Sequence, residues 1–153
     1  MSTPNRYITN LTHGMRYTPE YRAWVDIKRR CIDPRRKEYA RYGGRGILLA
    51  PEWLDSFQSF YDHIGPRPSD QHSVDRIDNE GHYEPGNVRW ATRTEQANNQ
   101  RSNRTITHDG ETLTYAQWAR RLGLSPGAIR RRLDLGWSNE ETVTKPRRKQ
   151  VRR

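Results

Sequence analysis

The stretch Ser73–Asn99, SVDRIDNEGHYEPGNVRWATRTEQANN, decides how the chain reads. Its middle, Asn79 to Gly86, is turn-forming or polar except for Tyr83. Short alternating runs flank it and a polar helix-forming run follows, so the pattern predicts strand, loop, strand, helix. Val74 and Ile77 bracket Asp75 and Arg76, as expected of a short strand whose side chains split between a core and a site. Asp75, near the strand's end, offers a hard carboxylate oxygen suited to Mg²⁺, and amides on the following helix can complete the set.

Upstream, residues 1–12 lack periodicity and read as a loose arm. A helix is predicted from Thr18 as N-cap and Pro19 at the first helical position. Tyr21, Trp24, Val25, Cys31 and Ile32 lie on one face, and Asp33-Pro34 ends it. Lys28, Arg29 and Arg30, then Arg35, Arg36 and Lys37, form its basic side, either a DNA-facing patch or a solvated one. In Tyr39–Leu49 (YARYGGRGILL), Gly43, Gly44 and Gly46 require a sharp turn or a close approach. With Arg45 they could form a phosphate nest; the simpler reading is a tight turn into a strand. Pro51 opens a second helix whose Trp53, Phe57, Phe60, Tyr61 and Ile64 read as core, ending at Gly65-Pro66 with His63 as a capping or surface residue. Residues 67–72 read as a polar linker.

Downstream, residues 100–104 read as a linker, and TITHDGETLT turns on Asp109-Gly110 as a β-hairpin. Two short helices follow. Trp118, Ala119 and Leu122 face inward on the first; Gly123 makes a turn; Ser125-Pro126 starts the second, with Ile129 and Leu133 inward. On this reading Arg130, Arg131 and Arg132 project outward, where arginine can reach base edges or phosphates. Ser138 and Glu141 form a capping-box pattern for a last turn of helix. The segment 144–153 is a basic run without an apolar face and reads as a disordered tail. The expected domains are thus 1–104, 105–143 and the tail.

The chain has 153 residues, 31% hydrophobic, so its core must be thin and must draw on five Trp and eight Tyr. The formal charge of +10 indicates a polyanion partner. Residues 1–100 hold 15 Lys/Arg against 13 Asp/Glu, whereas residues 101–153 hold 13 against 5, so the excess is C-terminal. One cysteine, Cys31, excludes a disulfide framework and a four-cysteine zinc site. No apolar run is long enough to span a membrane and no signal peptide is evident, so the expectation is a soluble intracellular protein. An RNA-binding class is disfavoured because no aromatic RNP-like strand is present.

The outline around Asp75 is that of a ββα-metal finger. The DRIDN string, the turn Tyr83-x-Pro85-x-Asn87, RWAT and the helix EQ resemble the HNH endonucleases of phage genomes, over roughly the first two thirds of the chain. YGGRGI, with Tyr42 and Arg45, recurs upstream of the core in such proteins. The resemblance implies an α+β chain: an HNH-like nuclease domain with helical N-terminal elements, and a small C-terminal hairpin and helix-turn-helix module. It implies Mg²⁺ or Mn²⁺ held by Asp75 with Gln96 or Asn99, Asn87 bracing the loop, and no structural zinc. Arg89 would face DNA. The substrate would be double-stranded DNA in the cytoplasm of a phage-infected host.

One departure bears on mechanism. The family's usual His after the aspartate is Arg76 here, and a guanidinium cannot accept a proton at neutral pH. The motif also resembles an Arg-bearing HNH variant of restriction enzymes, in which another residue replaces that base. Arg76 would then clamp the phosphate, and Tyr83, His82, His72 and Tyr42 are the groups that could activate water. The competing class is a DNA-binding regulator that keeps the finger without its chemistry.

Overall fold

In the computed structural model, which describes residues 14–146, the chain is α+β and divides into two compact units, Met1–Arg93 and Thr94–Arg153. The expected N-terminal arm lies outside the described residues, as does most of the basic tail.

In the first unit, α1 (Pro19–Ile32) begins where expected: the Thr18 hydroxyl accepts the Tyr21 N–H at 3.3 Å. Its buried stripe is Glu20, Trp24, Ile27 and Cys31. Ile32, expected inward, is 52% exposed, because Ile27, one turn before Cys31, already fills the inward position. The glycine-rich segment forms two 3₁₀ turns, Tyr39–Arg41 and Gly43–Arg45. A Cβ on Gly43 would lie 2.1 Å from the Cys31 carbonyl oxygen. The close approach that this glycine permits is therefore to the end of α1.

The helix expected from Pro51 is two helices, α2 (Pro51–Asp55) and α3 (Phe57–Ile64). Ser56 is extended between them and its hydroxyl caps α3, accepting the Ser59 N–H at 3.1 Å. Local hydroxyl–backbone bonding has outweighed continuation of the helix. Trp53, Phe57 and Phe60 still point inward and pack with Trp24, Ile27, Leu49 and Val88 in one core. The Trp24 indole N–H is satisfied by the Trp53 carbonyl at 2.7 Å.

The linker before the first strand is pinned. Buried Glu20 accepts the Arg67 N–H at 2.9 Å, and the Arg67 guanidinium donates to the carbonyls of Asp70 and His72 at 2.5 and 2.6 Å. From there β1 (His72–Arg76) pairs antiparallel with β2 (Val88–Thr92), placing Asp75 opposite Arg89 and Arg76 opposite Val88. Tyr83 leaves the intervening loop for the core. It is 2% exposed and bridges Leu49, exchanging backbone hydrogen bonds with Leu48 and Ala50 at 2.9 and 2.7 Å.

In the second unit, α4 (Arg93–Asn98) continues directly from β2 in sequence. Asn103 donates its side-chain amide to the carbonyls of Ala97 and Asn98 at 2.5 and 2.9 Å, and Thr114 donates to Asn98 Oδ1 at 3.4 Å. These bonds join the end of α4 to the segment after it, so the chain divides at Arg93/Thr94 rather than after residue 104. The strands β3 (Thr105–His108) and β4 (Glu111–Thr114) form the expected hairpin, with Asp109 and Gly110 at φ 50° and 77°.

Helix α5 (Tyr115–Arg121) opens with a capping box between Thr114 and Gln117, and α7 (Asn139–Thr144) with one between Ser138 and Glu141. Between them α6 (Ala128–Asp134) starts later than Ser125-Pro126 because the turn runs on to Gly127. Ile106, Trp118, Ala119, Ile129 and Val143 make the core of this unit. Among the described residues, no helix is long and apolar enough to cross a membrane.

Candidate active site

Neighbouring residues of a strand point to opposite faces of the ribbon, so Asp75 and Arg76 cannot serve one site together. Asp75 shares its face with Ser73, Arg89 and Ala91 by register. Its carboxylate accepts from Arg89 Nη2 at 3.1 Å and Nε at 3.3 Å, with 13% of the Asp75 side chain exposed against 38% of Arg89. Ala91, two residues along that face, is fully buried. Asp75 thus sits in a sheltered cross-strand ion pair, and Arg89, expected to face nucleic acid, is committed first to this carboxylate.

Arg76 points the other way, into the core, and is 6% exposed. Its guanidinium donates to the Gly81 carbonyl at 2.6 Å and lies over Tyr42 and Tyr83 at 5.3 and 5.2 Å from the ring centres. This corrects the phosphate-clamp expectation: a guanidinium enclosed by two rings and a carbonyl is spent on the protein itself. Arg30 also lies over the Tyr42 ring, 5.4 Å from its centre. Cys31 completes the cluster, its thiol pushed up to about 11 by burial, against the lowering influence of Arg76 and Arg30. Arg30 had read as part of a basic surface. Its position next to Cys31 and one turn after Ile27 was the available signal that it borders the core.

The loop between the strands is braced by Asn87. Its Oδ1 accepts the Asp78 N–H at 2.7 Å, and its Nδ2 donates to the carbonyls of Asp78 and His82 at 3.1 and 2.8 Å. The Asp78 carboxylate in turn accepts the Glu80 N–H at 2.9 Å. Glu80 receives the Arg45 guanidinium at 3.1 and 3.2 Å, so Arg45, read as a DNA contact, tethers the glycine-rich turn to the loop.

Of the four groups considered for activating water, Tyr83 is ruled out. Burial, and then the neighbouring Tyr42, push its phenol well above the ordinary range, so it is not ionised near neutrality. His72 lies on the strand face opposite Asp75, with Nδ1 2.9 Å from the Ser69 hydroxyl. His82 Nδ1 accepts the Leu48 N–H at 3.2 Å, so its proton in the neutral ring is on Nε2, which makes His82 a donor rather than a base. Tyr42 is half-buried and stacked on Tyr83, with ring centres 6.0 Å apart.

Mg²⁺ keeps several waters and takes one or two carboxylates plus substrate oxygens. Asp75 supplies one such carboxylate. Among the described residues no cluster of three or more His, Cys, Asp and Glu forms a protein-only cage. The residues fit an ion held by one carboxylate and completed by other ligands, not a closed site. Gln96 lies in α4; Asn99 lies just past its end, because the helix stops at Asn98. Both amides belong to the second unit.

In that unit Arg130 and Arg131 are exposed on α6, Arg130 3.7 Å from Asp134. Arg132, also expected outward, is 8% exposed. It donates to the carbonyls of Thr142, Lys145 and Pro146 at 2.7, 2.7 and 3.1 Å and lies over the Trp137 ring. At a helical period of 3.6, Arg132 shares the inward side with Ile129, which the run of three arginines concealed. No family model, curated protein or solved structure matches this chain.

Proposed function

We propose that the chain is a metal-dependent DNA endonuclease of the HNH, ββα-metal type, of phage or mobile-element origin, with a C-terminal helix-turn-helix that positions it on duplex DNA. The observation that carries this reading is the Asn87-braced loop, which joins the Asp75 strand to a second strand running directly into α4. Its three side-chain bonds match the role that the resemblance gives the middle Asn. A divalent cation, when bound, stabilises charge on the leaving 3′-oxygen. Asp75 would hold it. Arg89 orients that carboxylate and, being partly exposed, keeps donors for a backbone phosphate. His82 offers an Nε2–H to an oxygen of the scissile group, and Arg76 acts by holding the loop. Arg130 and Arg131 are the exposed cations of the recognition helix.

Supercoiled plasmid should be nicked or linearised in Mg²⁺ or Mn²⁺, and excess EDTA should stop it. Asp75→Ala should abolish cleavage and leave DNA binding nearly intact, because most of the cationic surface lies elsewhere. Cleavage that survives EDTA, or binding lost in step with cleavage, would overturn the assignment. The second reading, a non-catalytic DNA-binding regulator on the same scaffold, is favoured by the burial of Arg76 where the family carries its imidazole base. It takes over if wild type binds DNA yet is inert with every metal.

A further inference from the structure

A cleft of about 330 Å³ lies on the outer side of α1, away from the Asp75 ribbon face in sequence and in its residues. Arg22, Val25, Asp26 and Arg29 line it at the i, i+3, i+4, i+7 spacing of one helical stripe, complementary to the buried stripe of Glu20, Trp24, Ile27 and Cys31. Tyr21 on the helix, Arg16 and Tyr17 before it, and Arg36 after it complete the walls. Four arginines therefore converge with one acid, Asp26. That carboxylate is already held by Arg30 at 2.5 Å and Arg36 at 2.6 Å. Arg36 is spent on Asp26 and, through Nε 3.6 Å from its carboxylate, on Glu38, so the surplus of positive charge in the cleft rests on Arg16, Arg22 and Arg29. At its rim the Tyr17 ring is 80% exposed, a large apolar face with nothing packed over most of it.

We infer that this cleft binds one nucleotide of a single-stranded DNA segment, its phosphate held by Arg22 and Arg29 and its base stacked on Tyr17. The volume matches a nucleotide-sized ligand. Arginine forks suit phosphate, and an exposed aromatic beside them is the pairing that binds unpaired strands without reading sequence. A duplex presents phosphates but no free base face, so Tyr17 distinguishes the two. The inference rests on the DNA-acting reading but not on Asp75 or on cleavage.

The test is fluorescence anisotropy of full-length protein with a labelled oligothymidylate, in EDTA so that no cleavage intervenes. Matched duplex DNA and oligouridylate run in parallel. Tyr17→Ala should weaken single-strand binding about tenfold at constant salt while leaving duplex binding unchanged. The Arg22→Ala, Arg29→Ala double variant should flatten the dependence of log K on log salt by about 0.7, the contribution of the one phosphate they hold. All three residues are on the surface, and circular dichroism checks that the variants are folded. Wild-type affinity in both variants overturns the site. So does equal loss on duplex and single strand, which would make it a general backbone contact, or binding confined to the oligouridylate. An Asp75→Ala protein that keeps Tyr17-dependent binding sinks neither the cleft nor its ligand, whatever becomes of the nuclease reading.

Discussion

The Arg76 guanidinium lies 5.2 Å from the centre of the Tyr83 ring, so this charged side chain is buried against the hydrophobic core. It ties three pieces together: the loop through the Gly81 carbonyl, the glycine-rich turn through Tyr42, and the β-ribbon on which it sits. Its removal would open a cavity and take the donor from a partly buried carbonyl.

Arg76→Ala should therefore destabilise the first unit by about 2–4 kcal/mol, combining a desolvated cation–π contact with a charged hydrogen bond. In thermal melts followed by tryptophan fluorescence this is a drop on the order of 10 °C or more. Arg76→His should give no gain in cleavage, since the imidazole would point into the core and not toward Asp75. A folded Arg76→His protein with increased activity would show that the strand places both residues on one site after all.

The loop is the second test. Asn87→Ala removes three hydrogen bonds and should cost about 2–3 kcal/mol with loss of cleavage. Gly81→Ala should act in the same direction, because the added Cβ would sit 2.6 Å from Asn87 Nδ2. If Gly81→Ala melts like wild type and cleaves normally, the bracing is not what holds the site.

On the C-terminal unit, adjacent arginines should behave in opposite ways. Arg131→Ala should fold normally and reduce the salt dependence of duplex binding by about 0.9, one phosphate contact. Arg132→Ala should instead unfold the unit at lower temperature, by about 3 kcal/mol, because three carbonyls lose their donor. Protease digestion separates the outcomes. A stable Arg132→Ala unit with weakened DNA binding would return that residue to the binding surface.

Cys31 supplies a pH dependence. Its thiol is raised from 9.0 to about 11 in the folded chain, so on unfolding it loses a proton that the folded state retains at intermediate pH. Its contribution to stability is complete below pH 9 and is lost as pH rises through 11. Tyr83, raised for the same reason, acts in the same direction at still higher pH. Urea midpoints should fall between pH 9 and 11 in wild type and fall less in Cys31→Ala. The native thiol should also resist alkylation at pH 8 until urea unfolds the chain. Equal slopes in the two proteins, with prompt alkylation, would place Cys31 outside the core.

The order of elements and most of their ends were legible in the residues alone. Caps, turn residues and strand alternation are local chemistry, which is why Thr18, Ser138, Asp109-Gly110 and the loop of Asn87 could be read from neighbouring residues alone. What the sequence left open was where the long cations point. Arg45, Arg76, Arg89, Arg130, Arg131 and Arg132 all read as nucleic-acid contacts, yet Arg76 and Arg132 are buried, and Arg45 and Arg89 reach across to Glu80 and Asp75. A guanidinium can meet a phosphate, a carboxylate, a carbonyl or an aromatic ring equally well. The choice among them depends on which partner the rest of the chain brings within about 3–5 Å, a long-range outcome that composition and spacing do not encode. The same holds for Ser56, where a hydroxyl cap broke one predicted helix into two, and for Tyr83, which pairing with Leu49 drew out of the loop and into the core.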